Sequence, residues 1–253
     1  MGARPDILIL CYHAVSSSWP APLAVTPEAL DRQLRHVLKR GYVPRTLSAA
    51  LAAGGRSVVV SFDDAFRSVR ELGLPLMRGL GVPGTLFVPT DFAAEAAPMT
   101  WSELGRWRGT EHEGELRCLG WEGIRELAEA GWEVGSHTAS HPKLTEIPEG
   151  QRREELERSR AACEEALQRP CPTLAYPFGA HDDAVVSAAA AAGYGAAVTL
   201  GLRLLEPRLR RDRLRLSREG VYRDGPWHQF LLATSPLLGR VREASAFRRP
   251  TPA

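Results

Sequence analysis

The chain has 253 residues, a formal net charge of +2, and is 44% hydrophobic and 25% charged. That balance excludes a chain disordered throughout, and the near-neutral charge argues against nucleic-acid binding through bulk electrostatics. No run of about 18 apolar residues occurs, so no integral membrane segment is expected.

Residues 7–11 are an apolar run that reads as a buried strand. The run is too short for a secretion signal and lacks a small-residue cleavage site, so a cytoplasmic location is expected. Thr26 and Pro27 then open a helix as cap and first-turn proline; Leu30, Leu34, Val37 and Leu38 form its apolar face and Gly41 ends it. Residues 58–62 are a continuous, β-branched run expected to be buried on both faces. A helix over 69–80 stops at Gly81, and 85–88 is the next strand. Residues 89–120, rich in Gly, Glu, Trp and Arg, show no period and read as a long excursion. The rhythm resumes with a helix over 121–130, a strand over 132–136, a charged helix over 149–168, a strand over 173–176, a helix over 183–192 and a strand over 196–199. An extended stretch over 214–222 and a helix over 226–233 follow.

Strands alternating with helices predict an α/β fold with a parallel sheet and outer helices, and this length favours a (β/α) barrel over an open doubly wound sheet. No Gly-rich phosphate-binding loop follows any strand. One domain is expected over residues 1–235, with an Arg- and Pro-rich tail over 236–253. Cys11, Cys118, Cys163 and Cys171 form no CxxC pair and read as reduced thiols rather than metal ligands.

Active sites of such folds gather at the carboxyl ends of the strands, and three polar clusters lie there. Ser61-Phe62-Asp63-Asp64 follows the buried run at 58–60. Two adjacent carboxylates beside an apolar core need a partner or a metal, although an Asp here also suits a helix cap. Ser136-His137-Thr138-Ala139-Ser140-His141 follows the strand at 132–135. Histidines at i and i+4 face one way on a helical turn, a spacing suited to chelating one metal. Ala175-Tyr176-Pro177-Phe178-Gly179 is an aromatic proline turn whose backbone N–H groups can hold an oxyanion; a packed loop is its plainer reading. Trp101 and Trp107, in the excursion, suit stacking on sugar rings or anchoring of the loop. Arg203, Arg208, Arg210, Arg211, Arg213, Arg215 and Arg218 suit either a solvated rim or contact with an anionic substrate.

Together these residues resemble the polysaccharide deacetylase family, carbohydrate esterases with a NodB homology domain. The family's Thr-Phe-Asp-Asp is matched by Ser61-Phe62-Asp63-Asp64, and its His-Ser/Thr-x-x-His by residues 137–141. The resemblance implies a distorted (β/α) barrel of NodB type and hydrolysis of the acetamide of an N-acetylated amino sugar. It makes Asp63 the general base, and Asp64, His137 and His141 the ligands of one divalent transition metal. Zinc suits two imidazoles and a carboxylate, and cobalt, nickel, manganese or iron can take the same donors. The oxyanion would be held by the metal and the Phe178 N–H. The chain departs from the family in its third motif, Arg-x-Pro-Tyr, where Ala175 and Phe178 replace Arg and Tyr, and it has no late Leu-x-His; His228 is the only late histidine. Cys11-Tyr12-His13-Ala14-Val15 resembles the Tyr-His-x-Val entry of the branch containing poly-N-acetylglucosamine deacetylases, which makes His13 the candidate acid. Tyr176, Pro177, Phe178, Trp101 and Arg218 are the candidate substrate contacts, Arg218 also standing in for the missing arginine. Hydrolysis of a non-sugar amide, cyclic imide or formamide on the same fold is the second reading, and a catalytically inactive carbohydrate-binding barrel the third.

Overall fold

An apolar run at the start of the chain gives β1 (Asp6–Tyr12), and the short β2 (Ala14–Val15) and β3 (Ala24–Val25) pair with each other in parallel just beyond it. The computed structural model describes residues 6–53, 55–201 and 212–235. Helix α1 (Pro27–Lys39) starts where the sequence places it, the Thr26 hydroxyl accepting the Ala29 N–H. Two elements without a clear period follow, β4 (Val43–Pro44) and the Ala-rich α2 (Leu47–Ala53), and then β5 (Arg56–Phe62).

The single helix expected over 69–80 is interrupted. Residues Val69–Gly73 form a π-turn and α3 (Leu74–Gly79) follows. Pro75 has no N–H to donate and its ring crowds the preceding turn, so the backbone widens ahead of it. After β6 (Gly84–Val88) the excursion contains α4 (Thr90–Glu95) and two 3₁₀ turns, Ser102–Trp107 and Glu113–Leu116. Next come α5 (Trp121–Glu129), β7 (Glu133–Ser136), α6 (Glu149–Leu167), β8 (Thr173–Ala175), α7 (Asp183–Ala191) and β9 (Ala196–Val198). The stretch expected to be extended opens instead with a 3₁₀ turn at Arg213–Arg215, the Asp212 carboxylate accepting the Leu214 N–H. It then gives β10 (Glu219–Gly220), and α8 (Trp227–Ala233) follows. The tail over 236–253 and Arg203, Arg208, Arg210 and Arg211 lie outside the described residues.

All strand pairs of the main sheet are parallel, in the order β10-β1-β5-β6-β7-β8-β9, with β4 beside β5. The sheet curls into a distorted (β/α) barrel. Its two edges approach through the segment before β10: Leu216 bridges Val198 of β9, and three residues later Glu219 pairs with Leu10 of β1. Alternate residues face opposite ways. Ile7, Ile9, Val59, Phe87, Val198 and Leu216 cluster on one face with Leu47 and Ala50 of α2, while Leu8, Leu10, Val58, Val60, Leu86 and Val88 join the layer packed under the outer helices. Close packing of that layer explains one glycine: a Cβ on Gly84 would lie 2.4 Å from the Trp132 ring. Among the described residues no helix is long and apolar enough to cross a membrane.

Candidate metal centre and active site

The carboxyl ends of β1, β5 and β7 deliver His13, Asp63, Asp64 and His137 to one place, and all four are buried. The chain leaves β5 with Asp64 and Ala65 both left-handed, at φ 68° and 51°. Each such residue costs about 1–2 kcal/mol, and the turn is held from outside: the Leu119 N–H donates to the Ala65 carbonyl and Phe66 bridges Cys118. This reversal lets two consecutive carboxylates take different partners.

Asp64 faces the histidines. His137 Nε2 and His141 Nε2 are 3.2 Å apart, and each is 3.4 Å from Asp64 Oδ1. Three donor atoms thus form a near-equilateral triangle. Tetrahedral ligands about 2.0–2.1 Å from a zinc ion stand about 3.3 Å apart, so the triangle has the right edge. Its chemistry agrees. The Ala175 carbonyl accepts from His137 Nδ1 at 2.8 Å, which leaves the Nε2 lone pair pointing at the triangle. Asp64 Oδ1 is buried without a well-directed hydrogen bond. Three electron-rich atoms facing one another in a dry site repel unless a cation lies between them. The residues present therefore fit a divalent transition metal. Burial would raise the Asp64 carboxyl, but His137 and His141 outweigh it and hold it below the ordinary range. Burial first, and then the positive charge His137 carries when protonated, push His141 down to about 3, so its ring is neutral and its lone pair available. Burial would lower His137 too, but Asp63 and Asp64 pull it up, toward a proton that an ion between the three donors would displace.

The expected helical turn at 137–141 is absent. Thr138 and His141 are left-handed, at φ 66° and 65°, and the two rings converge across an irregular loop. The loop is tied at nearly every peptide. The Thr138 hydroxyl accepts the His141 N–H, and the carbonyls of Thr138 and Ala139 accept from Thr90 and Asp91 at the start of α4. Glu155, from α6, accepts the N–H groups of Ala139 and Ser140 and the Ser140 hydroxyl. Glu155→Ala is therefore expected to weaken zinc binding about 10-fold, as loss of a supporting partner commonly does. Chelator competition measures this, and an unaltered affinity would dismiss the role.

Asp63 faces the other way. Arg218 holds its carboxylate with two parallel bonds of 2.6 Å, Nη1 to Oδ1 and Nη2 to Oδ2, and the Cys11 thiol donates to Oδ2 at 3.4 Å. Arg218 also donates to the Thr199 carbonyl and to the Ser61 hydroxyl, which in turn donates to the Leu10 carbonyl. Burial would raise the Asp63 carboxyl; the Arg218 guanidinium and His137 overcome it and hold the group far below the usual range. A second cluster of potential ligands, Cys11, His13 and Asp63, lies here with its donor atoms within 4.8 Å of one another. The guanidinium already supplies the positive charge on both Asp63 oxygens, and burial keeps the Cys11 thiol protonated. That cluster is consequently no second metal site.

A cavity of about 350 Å³ opens over the triangle. It is lined by His13, Asp63, Asp64, His137 and His141, by Trp101, Trp107 and Phe178, and by Leu23, Leu200 and Tyr222. Trp101 stacks on His141, with centroids 3.9 Å apart, and Phe178 meets the same ring edge-on at 4.8 Å. Phe178 is left-handed, at φ 58°, and its N–H makes no hydrogen bond among the described residues. His13 Nδ1 is buried without a partner among them.

Three of the expected substrate contacts lie elsewhere. Arg218 is wholly buried beneath the cavity, engaged with Asp63, because an isolated guanidinium cannot be buried without its counter-charge. Tyr176 is buried too, its hydroxyl donating to the Leu214 carbonyl and its ring stacked on His181. Pro177 is buried beside it, and neither lines the cavity. His228 is exposed on α8 and does not line it either. Glu155, Leu200 and Tyr222 join the site without a mark in the sequence clusters. Tyr222 ends an extended segment, where strand-end residues gather, and so carries a signal; Glu155, inside a uniformly charged helix, carries none.

The profile of the polysaccharide deacetylase family matches residues 51–197, more than half of the chain. YxkH of Bacillus subtilis (strain 168), provisionally named a polysaccharide deacetylase, is 23% identical over 198 residues, 76% of this chain and 63% of that protein. The chain thus spans less than two thirds of that relative's length. Among solved structures, the Streptococcus pyogenes deacetylase PplD in complex with acetate superposes with a TM-score of 0.73 at 21% identity, over 91% of this chain and 98% of that one. IcaB from Ammonifex degensii gives 0.70 at 23% identity, over 91% and 98%. At these identities the superpositions establish the shared fold.

Proposed function

Since the chain belongs to the polysaccharide deacetylase family, hydrolases acting on amide bonds, we propose that it is a metal-dependent N-deacetylase that frees the amine of an N-acetylated sugar. The observation that carries this reading is the Asp64–His137–His141 triangle with Asp63 beside it, paired to Arg218, in one cavity.

Asp64, His137 and His141 would hold the ion, zinc first by the chemistry of the donors. When bound, such an ion polarises the amide carbonyl and makes water more acidic. Asp63 accepts the proton of the attacking water. Arg218 keeps that carboxylate ionised and fixes its plane, so it is always in the receiving form. The Phe178 N–H, turned by the left-handed backbone and not engaged within the described chain, donates to the developing oxyanion. Burial lowers His13, so it would hand on to the departing nitrogen, which cannot leave as an anion, the proton that Asp63 takes from water; their donor atoms lie within 4.8 Å of one another. Trp101, Trp107 and Tyr222 offer flat apolar faces to a sugar ring.

Elemental analysis of the wild type and of a His137→Ala, His141→Ala double variant tests the reading. About one transition metal per chain in the wild type and none in the variant is expected. Acetate release from N-acetylglucosamine oligomers should accompany the metal. Formate release or cyclic-amide hydrolysis instead would reassign the substrate, and no metal after reconstitution with zinc or cobalt would sink the mechanism.

A further inference from the structure

The connection from β2 into the first residue of β3, residues 16–24, supplies Ala21, Pro22 and Leu23 to the cavity lining. Such a connection leaves a row of backbone carbonyls with no strand partner. Arg223 takes five of them. Its backbone N–H donates to the Pro22 carbonyl at 2.8 Å. Nη1 donates to the carbonyls of Ser16, Trp19 and Ala24 at 2.9, 3.0 and 3.1 Å, and Nη2 to that of Ser17 at 3.0 Å. The guanidinium is thus ringed by carbonyls of one short connection, its fork spanning both ends of it.

The connection in turn braces a second wall. Its Trp19, wholly buried, packs edge-on against Trp107 at 5.8 Å and tilted on Phe66 at 5.6 Å. Its Ser16 hydroxyl donates to Glu115, in the excursion, at 2.7 Å. Arg223 also follows Tyr222, a third lining residue. Arg223 thus joins, by its side chain and its backbone N–H, the connection that carries Leu23 and Trp19 to the segment that carries Tyr222, while making none of the bonds that hold Asp63, Asp64 or the histidines.

We propose that Arg223 is a positioning residue for the substrate-facing wall of this cavity: it fixes the 16–24 connection, and through Trp19 the Trp107 wall, in the shape that receives the sugar. The proposal rests on the deacetylase reading. Because Arg223 acts on the walls and not on the reacting groups, its loss falls on substrate binding. Lysine keeps the stem and the charge but not the planar fork, so it restores the contacts only in part.

The test compares the metal-loaded wild type with Arg223→Met and Arg223→Lys. Arg223→Met is expected to raise KM for N-acetylglucosamine oligomers about 10-fold with little change in kcat. It should leave metal content and turnover of 4-nitrophenyl acetate, which is too small to need the walls, as in the wild type. Arg223→Lys should fall between the two. Amide exchange over 16–24 should quicken in Arg223→Met. Equal losses on both substrates, or a loosened connection with KM unchanged, would overturn the proposal. Should Arg223→Met not fold, Arg223→Lys carries the same comparison, and an unaltered KM and exchange pattern overturns it. If the wild type releases acetate from no N-acetylated sugar, the deacetylase reading falls by itself. Exchange over 16–24 then decides separately whether Arg223 fixes the wall, and an unchanged rate refutes it.

Discussion

Asp63→Asn is expected to lower kcat about 10³-fold, the range for loss of a general base, while the protein retains its metal. The two halves of that result are separable because the structure separates the two carboxylates. Asp64 faces the histidine triangle, whereas both Asp63 oxygens face Arg218. Asparagine keeps the shape and one acceptor, but it cannot take a proton from water. Its amide group also turns N–H donors toward the guanidinium N–H groups, so some stability is lost along with activity. Measuring kcat and metal content on the same preparation decides the matter. If metal leaves in step with activity, Asp63 is a ligand and the division of labour argued above is wrong.

Arg218→Met is expected to destabilise the fold by about 3–5 kcal/mol, the usual consequence of breaking a buried ion pair by removing one partner. Both groups are buried and the bond is bidentate, so solvent offers the abandoned carboxylate no compensation. Denaturant titration measures the loss. The rate profile supplies an independent check. Arg218 holds the Asp63 carboxyl below its ordinary range, against the pull of burial. Without the guanidinium the carboxyl rises. The base is then protonated, and the rate lost, at a higher pH on the acid side than in the wild type. A destabilised variant whose acid limb stays in place would mean that Arg218 supports the barrel without setting the state of Asp63.

The barrel and the triangle were legible because both rest on short-range patterns. Continuous apolar runs at 7–11 and 58–62 mark buried parallel strands, and polar clusters directly after such runs mark the mouth of the barrel. Two-residue strands such as β2, β3 and β4 carry no period to read, and α2 is too rich in alanine to show a face. The spacing of His137 and His141 pointed to convergence by way of a helical turn, which the structure replaces with two left-handed residues. A spacing constrains where side chains can meet and leaves the route open. Arg218 shows the opposite limit. Its place near the end of a late extended segment was readable, but its partner is 155 residues away, and no local pattern connects them.

The stretch from Leu216 to Gly220 has a property that follows from its position alone. On one side it meets β9 through a single bridged pair, on the other it meets β1 through two, and the arginine paired with Asp63 lies between them. The seam of the barrel and the anchor of the Asp63 carboxylate are thus the same few residues. Any opening of that stitch would therefore part the two sheet edges and draw the guanidinium off Asp63 together. The local opening free energy of this seam, rather than that of the whole fold, would then set the share of molecules in which Asp63 is paired.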